Sequence, residues 1–143
     1  MKKRGYFLSV ILIVMIGIMA FKPTVKEHQN EWTEWKQTNC LKGIDYRVKM
    51  GKYEMSRRAR KWEFQFKNRY NANVYFNFKA ISSTQMSKFK SARTSRSRVQ
   101  INGNSTTKVL SSFIKANNEL YVDIVKIRFG KEDIGKNYYK CDQ

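Results

Sequence analysis

The chain has 143 residues, and its 29 lysines and arginines against 11 aspartates and glutamates give a formal net charge of +18 at neutral pH. This length leaves room for one folded domain and excludes two, while the charge favours anionic partners. One histidine and two cysteines exclude a metal site built from several histidines or from a cysteine cluster.

The N-terminus has the pattern of an export signal. Three basic residues at positions 2–4 precede an apolar run from Tyr6 to Phe21, interrupted only by small residues. Because this run of 16 residues is shorter than the roughly 20 that cross a bilayer, residues 1–21 are predicted to be a signal peptide. An uncleaved anchor is the alternative, with membrane contact only through residues 6–21. The protein is expected to be secreted, periplasmic or at the cell surface.

The two cysteines bracket the region that follows. Cys40 and Cys141 are an even pair in a chain with an export signal, and they predict one disulfide. We assign residues 22–36 to a polar linker or first edge element, and residues 37–143 to the folded domain. Without the three basic residues of the signal, 26 basic residues remain against 11 acids, a net charge of +15.

The strongest strand patterns lie in the first half of the domain. Ile44 to Met50 alternates apolar and polar residues, which predicts a strand. Lys61 to Ile81 shows two alternating arms separated by asparagine-rich residues, and it predicts a central β-hairpin with an aromatic face. The aromatic residues of that face are assigned to the core. The charged stretch Glu54 to Lys61 is predicted to be a loop.

The second half of the domain is less regular. Ser82 to Thr94 is predicted to be an irregular connection, and Ser95 to Asn102 another strand. Ser105 to Asn118 fits a helix and a strand equally well. Leu120 to Phe129 predicts a strand with a β-bulge, because its apolar residues change parity without a turn residue. Tyr138 to Cys141 is expected to be the closing strand, after a turn framed by two glycines.

Short strands separated by turn signals indicate an all-β fold. We predict a single antiparallel immunoglobulin-like β-sandwich of about six to eight short strands, preceded by an N-terminal hydrophobic signal helix. Trp62 in a central strand and the sequence Tyr139-Lys140-Cys141 resemble the core tryptophan and the Tyr-x-Cys strand of immunoglobulin domains. The wide cysteine spacing departs from that pattern, so the order of the strands stays open.

A looser resemblance covers most of the domain. It rests on four short motifs: Cys40-Leu41-Lys42-Gly43, Phe66-Lys67-Asn68-Arg69-Tyr70, Asn102-Gly103-Asn104-Ser105, and Arg128-Phe129-Gly130 ahead of Tyr139 and Cys141. With these motifs the chain is similar to small exported β-sandwich proteins of the Bacteroidota type. The resemblance implies no activity or catalytic residue for this chain.

The inventory of reactive residues does not favour an enzyme. His28 is the only histidine, and it lies in a polar segment where a solvated role is expected. Asp45, Glu63 and Asp123 lie in predicted strands, and a carboxylate-based polysaccharide hydrolase would need two of them in one cleft. Their polar strand positions favour surface charges instead. No catalytic residue, cofactor or metal is predicted.

The basic residues are the better indication of function. Between Arg57 and Arg98 there are 12 cations and one acid, so this stretch of 42 residues carries +11. If the strands share a sheet, Lys61, Lys67, Lys79, Arg96 and Arg98 would form a cationic plate. The residues proposed to bind an anion are Arg57, Arg58, Arg60, Arg69, Lys88, Lys90, Arg93, Arg96 and Arg98.

These observations predict a non-catalytic, exported binding module whose cationic face contacts an anionic polymer, glycan or envelope surface. Tyr70 and Tyr75 are candidates for stacking on sugars or bases. The export signal argues against intracellular nucleic acid. The alternative is that the protein is itself an inhibitor or an envelope assembly component. It would then bind an unidentified protein partner through a sheet edge or through the aromatic loop that carries Arg69 and Tyr70.

Overall fold

A computed structural model describes residues 30–130, 138, 139 and 141. The described residues therefore exclude the predicted signal peptide, with its possible cleavage, and His28. They include only Gly130 of the turn predicted between Gly130 and Gly135. No helix in the described part is long and apolar enough to span a membrane.

Seven antiparallel strands form two sheets in the described chain. The first sheet contains β1 (Lys36–Gln37), β2 (Ile44–Glu54), β3 (Ala59–Asn68) and β6 (Leu110–Ile114), in the order β1-β2-β3-β6. The second sheet contains β4 (Val74–Ser82), β5 (Val99–Ile101) and β7 (Leu120–Phe129), in the order β5-β4-β7. The only helical elements described are 3-10 turns at Met55–Arg57 and Ser83–Lys88. The predicted all-β class is confirmed.

The predicted central hairpin is wrong. The two arms of Lys61 to Ile81 form β3 and β4, which lie in different sheets. Asn68 explains the change of sheet, because its buried side-chain amide donates hydrogen bonds to the carbonyls of Ala72 (2.8 Å) and Asn102 (3.1 Å). The Asn68 side-chain oxygen accepts from the Tyr70 backbone N–H at 2.9 Å. These bonds hold residues 68–73 as an arch between the sheets.

The aromatic faces of β3 and β4 meet across the core. Phe64 packs against Phe78 with ring centroids 5.1 Å apart, and Phe66 packs against Phe76 at the same distance. All four rings are buried, as is Trp62 beside them on β3. The prediction that these residues form the core is confirmed. They occupy two facing walls of the sandwich, which explains how two aromatic strands bury one another.

The stretch from Glu54 to Lys61, predicted to be a loop, contains the hairpin connection between β2 and β3. β2 continues past Gly51 to Glu54, and β3 begins at Ala59, so only residues 55–58 lie outside the strands. The close approach of the strands requires glycine here, since a Cβ at Gly51 would lie 2.7 Å from the Lys61 carbonyl oxygen. The register of β2 against β3 shifts between Met50 and Tyr53.

The later elements agree with the sequence in type and differ in extent. Within the stretch from Ser95 to Asn102 only Val99–Ile101 is strand, while the ambiguous segment of residues 105–118 contains strand β6. The bulge predicted in β7 is confirmed by a register shift, where Tyr75 pairs with Arg128 and Asn77 with Val125. Lys126 in this bulge has a positive φ of 55°. As a result, the positions that point into the core change parity, so that Ile124 is buried before the bulge and Ile127 is buried after it.

Both ends of the domain are fastened to the sheets. Residues 30–37 run antiparallel along β2, with backbone hydrogen bonds from Asn30 to Met50 (3.0 Å) and from Thr33 to Val48 (2.9 Å), so this segment is an edge element. Near the other end, the Tyr139 N–H donates to the Ile127 carbonyl at 2.8 Å. The predicted Cys40–Cys141 disulfide is present and spans 101 positions of sequence. Such a bond indicates an oxidising environment.

Candidate anion-binding groove

A groove of about 830 Å³ opens along one side of the sandwich, between the edge strand β6 and residues 93–98. Its floor is apolar and includes Phe78, Val99 and Leu110 from the inner faces of the two sheets. Its rim combines hydroxyl groups with cationic side chains. The lining residues are Arg57, Phe78, Ala80, Arg93 to Val99, and Leu110 to Lys115.

One wall of the groove is built by β4. The Asn77 side-chain amide donates to the carbonyls of Ser95 (3.1 Å) and Ser97 (3.2 Å). The Phe78 N–H donates to the Ser95 hydroxyl at 3.1 Å, and the Phe78 carbonyl accepts from the Ser95 N–H at 2.8 Å. The segment carrying Arg93 and Arg96 is therefore held on the edge of β4 by a specific set of hydrogen bonds.

The lining contains five cations and no carboxylate. Arg93, Arg96 and Lys115 are exposed, and no hydrogen bond or ion pair joins their side chains to another described residue. Arg57 forms a 3.0 Å ion pair with Glu54 and lies over the ring of Phe113, 4.1 Å from its centroid. Three unneutralised charges therefore face the opening, with a fourth partly compensated by a neighbouring acid.

Arg98, the fifth cation, also has a structural role. Its side chain is half-buried and donates a 3.2 Å hydrogen bond to the carbonyl of Lys126 in the β7 bulge. The bond ties the start of β5 to the far strand of the same sheet. Arg98 is consequently less available to a ligand than Arg93 and Arg96.

The other predicted binding residues lie outside the groove lining. Arg58 ends the β2–β3 connection with a φ of 48°, and Arg60 is half-buried on β3 opposite Ile114. Arg69 forms an ion pair with Asp45, with its Nε 3.0 Å from a carboxylate oxygen. Lys88 and Lys90 are exposed on the connection between β4 and β5. Of the nine candidates, four line the groove: Arg57, Arg93, Arg96 and Arg98.

The expected cationic plate is not formed, because its members are on different sheets. Lys61 and Lys67 belong to β3, whereas Lys79 belongs to β4. The Lys79 ammonium also donates to the carbonyl of Lys90 at 2.6 Å, so it anchors the connection that follows β4. Four of the predicted binding cations come together with Lys115 in the lining of the groove between the sheets.

Both tyrosines considered for stacking are occupied within the fold. The Tyr70 hydroxyl accepts a 3.0 Å hydrogen bond from the Gly43 N–H, and its ring packs edge-on against Phe129 with centroids 5.3 Å apart. Tyr75 is buried in β4, opposite Arg128. Tyr75 is therefore not accessible for stacking, whereas Tyr70 is half-buried and is engaged within the fold by its hydroxyl and one ring contact.

The three candidate catalytic carboxylates are separated. Asp45 and Glu63 lie on adjacent strands, but the partner of Asp45 in the register is Lys67, four positions from Glu63, or about 13 Å at the rise of a strand. Glu63 forms a 2.7 Å ion pair with Lys49. This separation exceeds the range used by paired glycosidase carboxylates.

Asp123 lies in the other sheet and supports the fold. It is buried, and one carboxylate oxygen accepts hydrogen bonds from the backbone N–H groups of Ile124 (2.8 Å) and Cys40 (3.2 Å). Tyr121 donates to the other oxygen at 3.3 Å. Burial, followed by the neighbouring Asp123 charge, raises the pKa of the Tyr121 phenol. This cluster joins the disulfide end of the chain to β7.

A second cavity, of about 380 Å³, lies on the opposite side of the sandwich, between residues 31–36 and the start of β7. Trp62, Tyr46 and Leu120 contribute apolar walls, while the rim carries three glutamates and one lysine: Glu31, Glu34, Glu119 and Lys36. Lys36 is ion-paired with Glu119. Burial raises the pKa of Tyr46 in this cavity. The two sides of the sandwich thus present openings of opposite charge.

No family model, curated protein or solved structure matches the chain. Among the described residues, no group of histidines, cysteines, aspartates and glutamates could hold a metal ion.

The sequence patterns did not identify Lys115 or the serines of β6 as part of the site. These residues lie in the segment that fitted helix and strand equally well, and β6 faces the groove only because it pairs with β3, about 50 positions earlier. The cluster of positive charge from Arg93 to Arg98 was the available signal. It located one wall of the groove and left the other wall undefined.

Proposed function

We propose that the protein is an exported, non-catalytic binding module that holds an anionic chain molecule in the groove between β6 and residues 93–98. The observation that carries this proposal is a groove lined by five cations and no carboxylate. Three of those cations, Arg93, Arg96 and Lys115, have no neutralising partner in the described structure.

The form of the groove supports a polymer as the ligand. An open channel with charges on both walls can contact several anionic groups of one chain at once, and each contact releases bound counterions. Low-dielectric walls concentrate the electric field within such a channel and attract anions from a distance. Binding should therefore be strong at low ionic strength and fall steeply as salt is added.

The predicted export signal and the disulfide support an extracytoplasmic location. The disulfide joins Cys40 to Cys141, and such bonds persist in oxidising compartments. An anionic polymer of the envelope or of the cell exterior is the partner that this location offers. The N-terminal signal adds the route by which the domain would reach it.

We also propose an immunoglobulin-like arrangement of the sandwich. Its support is the strand order, because β2-β3-β6 facing β4-β7 corresponds to strands A-B-E facing C-F of that fold. Two features depart from immunoglobulin domains. Trp62 lies on β3, the equivalent of strand B, and the disulfide links Cys40, ahead of β2, to Cys141, beyond β7.

A pair of matched charge reversals tests the function. Arg93→Glu combined with Arg96→Glu should lower the salt concentration at which the protein elutes from immobilised heparin, because both residues lie on the groove. The control is Lys52→Glu combined with Lys67→Glu, which makes the same change in net charge at exposed positions on the first sheet. Equal losses in the two variants would show that net charge alone governs retention, and would refute the groove as the site.

A further inference from the structure

The four edges of the two sheets differ in how they are protected. The β2 edge of the first sheet is covered by residues 30–37, and the β7 edge of the second is bridged by Tyr139. The edge at β5 has only three residues of strand, and residues 94–97 bind the remainder of β4. Three of the four edges are therefore short or covered.

Strand β6 forms the fourth edge, and the described residues leave it open. It pairs with β3 in continuous register over five residues, and within the described chain no backbone hydrogen bond joins its other side to a neighbour. Its sequence, Leu-Ser-Ser-Phe-Ile, has no charge, proline or bulge, the devices by which proteins usually block an edge. Its free backbone groups provide a template for one more strand.

The groove lies directly beside this edge. Ser111, Ser112 and Ile114 of β6 all line it, so an added strand would lie in the space already present between β6 and residues 93–98. The apolar floor would receive every second side chain of that strand. Alternating side chains are how an added strand gains specificity beyond its backbone hydrogen bonds.

Charge identifies the kind of strand that fits. A strand in the groove would lie near Arg93, Arg96 and Lys115, and no lining residue carries a negative charge. A second copy of this chain would bring its own net charge of +18, so electrostatic repulsion opposes pairing of β6 with β6. The complementary partner is acidic.

We propose that β6 is an acceptor strand for an extended acidic segment of another protein, which adds to the first sheet as its fifth strand and occupies the groove. This inference rests on the proposed anion-binding function and names the class of the anionic chain. The backbone of the partner supplies hydrogen bonds to β6, and its acidic side chains reach the cationic rim.

The test uses three probes with the full folded domain. The first is a peptide of about ten residues that alternates glutamate and valine, the second is the same peptide N-methylated on alternate residues, prepared once on the glutamates and once on the valines, and the third is inorganic polyphosphate. N-methylation removes backbone donors and leaves the charge unchanged. Affinity is measured by calorimetry, and hydrogen exchange of the amides at positions 110–114 is followed by NMR.

We expect the unmodified peptide to bind and to slow amide exchange in β6. The variant methylated on the edge that faces β6 should bind at least about tenfold more weakly, since several backbone hydrogen bonds are lost. Polyphosphate should protect the β6 amides much less than the peptide does, because it has no backbone N–H groups with which to form a ladder along the strand.

The outcomes separate this inference from the function on which it rests. Equal affinity of methylated and unmodified peptides, without protection of β6, would overturn strand addition. If those peptides and polyphosphate all lost affinity with Arg93→Glu and Arg96→Glu, the groove would still be the anion site. If these substitutions left the affinity of every probe unchanged, the proposed function would be overturned as well.

Discussion

Phe66 and Phe76 meet edge to face across the core, with ring centroids 5.1 Å apart and an angle of 71° between the rings. They are ten positions apart in the sequence, yet they belong to opposite sheets. Since both rings are fully buried, this contact joins the two layers of the sandwich at its centre.

The contact between Phe66 and Phe76 should contribute strongly to stability. Phe66→Ala should reduce the free energy of unfolding by about 3 to 5 kcal/mol, because it removes a buried ring and leaves a cavity between the sheets. Urea denaturation followed by circular dichroism measures the change. Met55→Ala is the control, because Met55 is 80% exposed and its truncation should have little effect. A similar loss for both variants would contradict the central role of the aromatic contact.

The disulfide should stabilise the folded domain. Replacing both Cys40 and Cys141 with serine should lower stability by about 2 to 5 kcal/mol, because the unfolded chain would no longer be closed into a large loop. Thermal unfolding with and without a reducing agent provides the measurement. The reductant should destabilise the native protein to the level of the double variant and leave the variant itself unchanged. A response of the serine variant to reductant would contradict this account.

The Asn77 side chain should be required for an ordered groove wall. Asn77→Ala removes the amide that donates to the Ser95 and Ser97 carbonyls, so residues 94–97 should lose their fixed position on β4. We expect faster amide exchange in that segment and weaker retention on heparin. Asn117→Ala, at an exposed asparagine between β6 and β7, is the matched control and should preserve both properties. Unaltered retention in Asn77→Ala would show that anion binding does not require an ordered segment.

The Tyr46 phenol should make stability depend on pH in the alkaline range. Burial raises the pKa of Tyr46 above its ordinary value of 10.0, although a hydrogen bond from the Val122 backbone opposes the increase. The folded state therefore holds the phenol proton more tightly than the unfolded state. This contribution to stability is complete below pH 10.0 and is lost as the pH rises through the folded pKa. Above pH 10.0, the melting temperature should consequently fall less steeply with pH in Tyr46→Phe than in the native protein.

A matched substitution completes the pH experiment. Tyr53 is 44% exposed, so Tyr53→Phe should follow the native protein across the alkaline range. Identical alkaline profiles for Tyr46→Phe and the native protein would show that the Tyr46 phenol does not couple to folding.

Arg47 should stabilise the outer face of the first sheet through its guanidinium group. Arg47 lies between the rings of Trp32 and Trp35, 4.8 and 4.6 Å from their centroids, and donates two hydrogen bonds to the side-chain oxygen of Gln65. Arg47→Lys keeps the charge but loses the planar group that stacks on both rings. Tryptophan fluorescence should change, and stability should decrease by about 1 kcal/mol. A lysine variant with native fluorescence and stability would argue against the stack.

Local patterns predicted the strands because alternation depends only on neighbouring residues. Ile44 to Met50 and Leu120 to Phe129 became strands, and the parity change in the latter marked its bulge correctly. Pairing depends on distant residues, which is why the hairpin of Lys61 to Ile81 was wrong. The information that decided it lies in the side chain of Asn68, which bonds to Asn102, 34 positions away.

The sequence likewise predicted only some of the residues of the candidate site. The density of cations located Arg93 and Arg96, but it also selected Arg69, whose charge is paired with Asp45. Neither the partner of a cation nor the strand across the groove follows from composition. Lys115 became part of the site through the pairing of β6 with β3.

The strand order also determines when the molecule can become complete. β3 pairs with β6, and β4 pairs with β7. Each sheet is therefore complete only after a long stretch of intervening chain has folded back. Folds with such distant pairings form slowly, over milliseconds to seconds. The Cys40–Cys141 bond closes a longer loop still, because its two sulfurs lie 101 positions apart. During this interval the high positive charge of the chain would keep neighbouring unfinished molecules apart.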